Sequence, residues 1–303
     1  MSVDLRKLDL HPEGAEMVNA LGQKTRLPGV TQFGLFKRAL SHPEGWRLLC
    51  EPVVDEIRKV ATEGGWPATE PIIYRIARHA GPWNAFGITD PWSYTPAQIT
   101  LFSQQLANKG VIIDWTGCDY QACFSGLDGP RGVHQHHNNF AFAILGVRNG
   151  IWNVSNEPFK NGIDSFQAVP PPWAPKVWYS GWYDDPRDPV AVNLHTDRSD
   201  EGSIHKWVGK AHESAPYMWK HGKIVFYDEP NGGDEVTIPG KRSNVPAYFR
   251  TLGSVLTMVN AVYFHSTAGL TSDGMGNDFD TRWPITRQCM REFFSGAAGA
   301  RLS

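Results

Sequence analysis

Eight short runs of β-favouring residues alternate with stretches of helical apolar spacing between residues 30 and 295, and this alternation constrains the fold more than any other property of the chain. A strand reaches a parallel neighbour only through a crossover, and eight β-α units in succession are what a (β/α)8 barrel requires. The runs are Val30–Leu35, Pro71–Ile76, Val111–Trp115, Ile151–Pro158, Lys176–Tyr179, Val190–Leu194, Lys223–Tyr227 and Ala261–His265. Helical spacing occupies Gly45–Thr62, where Leu48, Leu49, Val53, Ile57 and Val60 recur. Thr95-Pro-Ala-Gln98 has the form of a capping box with proline at the first helical position, and predicts a helix running to Asn108. Further helices are predicted over Asn138–Val147, Ile204–Ala211, Val245–Val259 and Ile285–Phe294, whereas the glycine- and proline-rich stretch 159–175 predicts a loop. A doubly wound open sheet is the alternative, but no glycine-rich phosphate loop follows the first strand. Without an internal repeat or low-complexity linker, residues 30–303 are expected to form one barrel domain. Residues 1–29, which lack sustained periodicity, are expected to pack against it as an extension.

Charge and hydropathy remove several classes of partner. The 29 basic and 31 acidic residues give a net charge of -2 with no basic block, so nucleic acid is not an expected ligand. The longest uncharged stretch, Thr251 to Ser272, is interrupted by Gly253, Asn260 and His265, and reads as a buried helix and strand rather than a membrane span. Five charged side chains precede Gly14, and no apolar run of signal-peptide length follows them. The expectation is a cytoplasmic protein or one exported by another route. Four scattered cysteines do not make a disulfide scaffold, and no cofactor motif is present, so none is expected. Twelve tryptophans among 303 residues is a high count, and indole faces are common platforms for sugar rings.

In a barrel the C-terminal ends of all strands open into one mouth, so the residues there decide the chemistry. Strand four ends in Asn156-Glu157-Pro158, where the proline stops the ladder and leaves Glu157 at the edge. Strand two ends in Tyr74-Arg75-Ile76-Ala77-Arg78, strand six in Asn193-Leu194-His195-Thr196-Asp197, and strand seven in Tyr227-Asp228-Glu229-Pro230. Carboxylates, an arginine and a histidine converge. Over most of residues 30 to 295 this pattern resembles the clan A glycoside hydrolases, of the cellulase and mannanase kind and family 5 type. The resemblance implies that Glu157, after Asn156, is the acid/base and that Glu229 is the nucleophile. It further implies that Arg75 supports the nucleophile and that His195 lines the sugar site. Trp115, Asp197 and His265 join Asn156, Arg75 and His195 as expected substrate contacts. Asp197 stands where the clan often has a tyrosine, and His265-Ser266 where a tryptophan ends strand eight, so both changes bear on which sugar is bound.

The implied reaction is double displacement on a β-linked polysaccharide or oligosaccharide, with endo action and retention of configuration. Retaining enzymes hold their two carboxyl groups roughly 5 to 5.5 Å apart, a span that strands on opposite sides of a barrel mouth can supply. An ionised Glu229 would be favoured by the charge of Arg75, and a protonated Glu157 by burial and the negative neighbour. Two assignments stay open on the residues alone. Asp228 also lies at the end of strand seven, and a one-residue change of pleat would exchange it with Glu229; Arg78 competes with Arg75. Two other functions compete with hydrolysis by these carboxylates. One is a carbohydrate-binding barrel without activity. The other is a metal-dependent hydrolase built on Cys118, Cys123, His134, His136 and His137, although that spacing matches no tight zinc-ribbon pattern and no metal ligand is assigned.

Overall fold

The computed structural model describes residues 3–32, 34–79, 94–118, 142–155, 175–179, 187–195, 204–229, 245–265 and 283–301. Eight parallel strands form a barrel: β4 (Leu27–Thr31), β5 (Ile72–His79), β6 (Val111–Cys118), β7 (Gly150–Ser155), β8 (Trp178–Tyr179), β9 (Ala191–His195), β10 (Ile224–Glu229) and β11 (Ala261–Phe264). Their hydrogen-bonded order is β8-β7-β6-β5-β4-β11-β10-β9, and β8 meets β9 to bring the ring round. The chain is a single (β/α)8 barrel.

Before the barrel, β1 (Leu10–Glu13), β2 (Glu16–Asn19) and β3 (Lys24–Thr25) form a small antiparallel sheet that the aperiodic N-terminal sequence did not predict. It is joined to the barrel by burial of Leu8, Leu10 and Met17 in the common core, and by a hydrogen bond from Asn260 Nδ2 to Ala15 O of 3.0 Å. The first barrel strand begins at Leu27 rather than Val30 and stops at Thr31. Pro28-Gly29 reads locally as a turn, yet both residues pair with β11, Pro28 opposite Val262 and Gly29 opposite Tyr263. Glycine is required there, because a Cβ on Gly29 would lie 2.5 Å from Cδ1 of Tyr263.

The helices are α1 (Leu35–Leu40), α2 (Glu51–Glu63), α3 (Pro96–Asn108), α4 (Ile204–Lys220), α5 (Val245–Ser254) and α6 (Trp283–Arg301). α2 begins six residues later than the apolar spacing predicts, since Trp46–Cys50 winds as a π-helical turn before it. α3 has the predicted capping box: Gln98 N donates to Thr95 Oγ1 at 3.3 Å, and Thr95 N donates to Gln98 Oε1 at 2.7 Å. α4 runs nine residues past its predicted end, straight through Pro216. The proline is exposed, while Ala211, Ala215 and Met218 recur on the buried face and hold the helix to the barrel. α5 and α6 cross closely at Gly253 and Gly296, where a Cβ would collide with the carbonyls of Phe293 and Arg250 respectively. The predicted helix over Asn138–Val147 lies largely outside the described residues. Within them, no helix is long and apolar enough to cross a membrane.

Each barrel strand alternates between two surroundings, which is why its sequence reads as nearly continuous apolar residues. Outward side chains enter the helical layer: Tyr74 donates its hydroxyl to Val54 O of α2 at 3.5 Å, and Phe264 packs on Phe249 and Phe293. Inward side chains meet across the barrel, as when Tyr179 of β8 stacks on Phe226 of β10 with centroids 5.0 Å apart. The next turn of this inward pattern is polar.

Candidate active site at the mouth of the barrel

Polar side chains occupy the barrel interior towards the C-terminal ends of its strands. Arg75 of β5 and Asp228 of β10 form an ion pair of 2.9 Å, with both side chains wholly buried. Arg75 Nε also donates to Thr116 Oγ1 of β6 at 3.3 Å. Asp114 of β6 is fully buried, and its Oδ2 accepts hydroxyls from Tyr179 at 2.7 Å and Tyr263 at 2.9 Å. Burial pushes both phenols well above their ordinary range, and the Asp114 charge pushes the same way, so both remain protonated donors. His265, at the end of β11, places Nδ1 3.0 Å from Thr31 Oγ1 of β4. Asn153 of β7 and Asn193 of β9 are also buried. Charges cannot stay ionised in such an interior unless paired or hydrogen-bonded, and these contacts fix the floor of the mouth rigidly.

Several of the site residues predicted from sequence fall in this floor or at its edge. Arg75 does, and it pairs with the Asp228 carboxylate. Asp228, the carboxylate that competes with Glu229 at the end of β10, is thus turned into the barrel interior and wholly buried. Glu229 is the last residue of β10, and its backbone is in register with His195, the last residue of β9. The ladder shifts between Tyr227 and Glu229, leaving Asp228 as the extra residue, and such bulges re-aim side chains near active sites. His265 lies at the mouth with 8% of its surface exposed.

Trp115 requires a correction. It is fully buried and faces the helices, edge-on to Phe36 at 5.4 Å and tilted against Phe102 at 5.9 Å. Its neighbours Asp114 and Thr116 have the inward parity, so the pleat turns Trp115 away from the mouth and it serves as packing. Asn156, Glu157 and Asp197 lie outside the described residues, as do Cys123, His134, His136 and His137. Cys118 is described only as the backbone end of β6. Among the described residues no group of three His, Cys, Asp or Glu side chains could hold a metal.

Asp114, Tyr179 and Tyr263 were not singled out from sequence. Asp114 carried a readable signal, an ionisable residue after Val111-Ile-Ile in an otherwise apolar strand. Tyr179 and Tyr263 carried none, because tyrosine is common in strands and only the closed ring brings the two hydroxyls onto one carboxylate.

No protein-family model and no curated protein matches the sequence. Solved structures do match its shape. The glycoside hydrolase family 5 mannosidase from Rhizomucor miehei superposes with a TM-score of 0.56 and 10% identity, over 96% of this chain and 99% of that one. A cellulase superposes with a TM-score of 0.56 and 14% identity, over 93% of this chain and 91% of that one. A family 5 glycoside hydrolase from Bacteroides vulgatus superposes with a TM-score of 0.58 and 12% identity; 91% of this chain is covered, and the chain spans 66% of that protein's length. The chain thus has the barrel fold of family 5 glycoside hydrolases of the cellulase and mannanase kind.

Proposed function

We propose that the chain is a retaining glycoside hydrolase that cleaves a β-linked polysaccharide or oligosaccharide, with endo action, Glu157 as acid/base and Glu229 as nucleophile. The observation that carries this reading is the position of Glu229. It ends β10 directly after a carboxylate already neutralised by Arg75, at a register shift that breaks the regular pleat. Asp228 is buried in an ion pair and makes a poor nucleophile, which favours Glu229 among the two neighbours. In the sequence Glu157 comes two residues after Ser155, the last residue of β7, a strand three places round the ring from β10 through β8 and β9. Residues so placed across a mouth can bring their carboxyl groups within the roughly 5 to 5.5 Å that retention requires.

In this mechanism Glu229 attacks the anomeric carbon while Glu157 protonates the leaving oxygen. Glu157 then removes a proton from the water that releases the sugar. Asn156, His195, Asp197 and His265 contact sugar hydroxyls, and Arg75 acts on the site from below through Asp228. The mannosidase and cellulase of the same fold make β-mannans and β-glucans the first substrates to try.

A 2-deoxy-2-fluoro glycoside slows the second step more than the first, so the ester accumulates and is mapped by mass spectrometry after peptic digestion. The label is expected on Glu229, and Glu229→Gly should regain turnover with azide to give an α-glycosyl azide. Label on Asp228 would exchange the two roles, and an inverted product would remove the retaining mechanism. No release of reducing sugar from any β-glycan, with oligosaccharide still bound, would mean a binding barrel.

A further inference from the structure

Asp114 and Asp228 are both fully buried in the same barrel interior. Asp228 has a cation, Arg75 at 2.9 Å. Asp114 has two neutral hydroxyls, Tyr179 at 2.7 Å and Tyr263 at 2.9 Å. Arg75 and Asp114 are register partners on adjacent strands, so the guanidinium begins beside Asp114 and crosses the barrel to the other carboxylate. Without the phenols, Asp114 would compete for the same guanidinium. Tyr263 is fixed in turn by its ring lying over Gly29, and Tyr179 by its stack on Phe226.

We propose that Asp114 is a positioning residue: held by Tyr179 and Tyr263, it leaves Arg75 to Asp228, and its charge sets the proton affinity of the carboxylates at the mouth. The inference rests on the reading of Glu229 as nucleophile. Tyr179 from β8 and Tyr263 from β11 each interact electrostatically with Asp114, with Asp228 from β10 and with Arg75 from β5, so the five groups form one cluster. β7 and β9 contribute the neutral Asn153 and Asn193, and His265 stands beside Thr31 at the rim.

Two variants move the local electrostatic potential in opposite senses. Asp114→Asn removes a negative charge, and should shift the acidic limb of the kcat/KM profile for an aryl β-glycoside to lower pH by about one unit. Tyr263→Phe keeps the charge but removes a donor dipole, and should shift the same limb to higher pH. A packing role would lower rate or stability in both variants without opposite shifts, and that result would overturn the proposal. Should Asp114→Asn fail to fold, Tyr179→Phe takes its place; both phenol variants should then shift the limb to higher pH, and an unmoved limb in both would overturn the proposal.

A second readout needs no turnover. In protein labelled with 13Cγ-aspartate, the NMR titration of Asp228 should move down in Asp114→Asn and up in Tyr263→Phe. Unmoved titration and unmoved limbs, with hydrolysis present, would discard the positioning role and leave the glycosidase reading intact. Shifted titration without hydrolysis of any glycoside would keep the coupling of Asp114 to the Arg75–Asp228 pair and discard the glycosidase reading.

Discussion

The guanidinium of Arg75 reaches across the barrel to the carboxylate of Asp228, 2.9 Å away, with neither side chain exposed to solvent. The pair joins β5 to β10 immediately beneath Glu229. Removing one member leaves the other as an uncompensated buried charge, so Arg75→Met or Asp228→Leu should each destabilise the protein by about 3–5 kcal/mol. The double variant Arg75→Met/Asp228→Leu should recover much of that loss. Urea unfolding of the four proteins measures it, and single variants as stable as the parent would show the pair to be unimportant to the fold.

Glu157→Gln should reduce turnover of natural glycosides by roughly 10²–10⁴-fold, because the leaving oxygen then departs without its proton. Aryl glycosides with good leaving groups should still glycosylate the enzyme and show a burst followed by slow release. Equal losses on both substrate types, in a steady-state and stopped-flow comparison, would mean that Glu157 is not the acid.

Buried tyrosines set an alkaline limit on stability. Tyr74, Tyr179 and Tyr263 are held above their ordinary value of 10.0, with burial the largest cause in each. Unfolded chain ionises at about pH 10 while native chain keeps its protons. Stability is therefore complete below that pH and falls above it, by about 1.4 kcal/mol per pH unit for each such tyrosine. Denaturant unfolding between pH 9 and 11 should show this slope, shallower by about 1.4 kcal/mol per pH unit in Tyr263→Phe.

Cys50 and Cys289 should be inert in the native state. Burial pushes both thiols up to about 12, and Cys50 also donates to Leu35 O at 3.3 Å. In a Cys118→Ser/Cys123→Ser variant, a thiol reagent at pH 8 should label no residue in folded protein and two after denaturation. Rapid native labelling would mean that the Trp46–Cys50 turn or α6 opens locally.

The alternation of strand and helix periods determined the architecture from sequence alone, because each period records which faces of an element must be buried. It placed the barrel strands closely, and the Thr95–Gln98 capping box fixed one helix start to the residue. It began the first barrel strand at Val30 and ended the helix from Ile204 at Ala211, short of Pro28-Gly29 and Pro216, where local propensity argues for a break. Pairing with β11 at the first position, and a buried face opposite solvent at the second, override that propensity.

The strand-end residues were legible as a class, since carboxylates, arginine and histidine at a barrel mouth are costly there without a role. Their pairing was not. Sequence gives the pleat of a strand that is apolar on both faces only weakly, so it could neither turn Trp115 outward nor set Arg75 against Asp228. That choice, and the meeting of Tyr179 and Tyr263 on Asp114, depends on register around a closed ring, where residues 149 positions apart become hydrogen-bond partners. The sequence determined which groups must enter the barrel; ring closure decided which of them neutralise one another, because in a dry interior every charge must find a partner within about 3 Å.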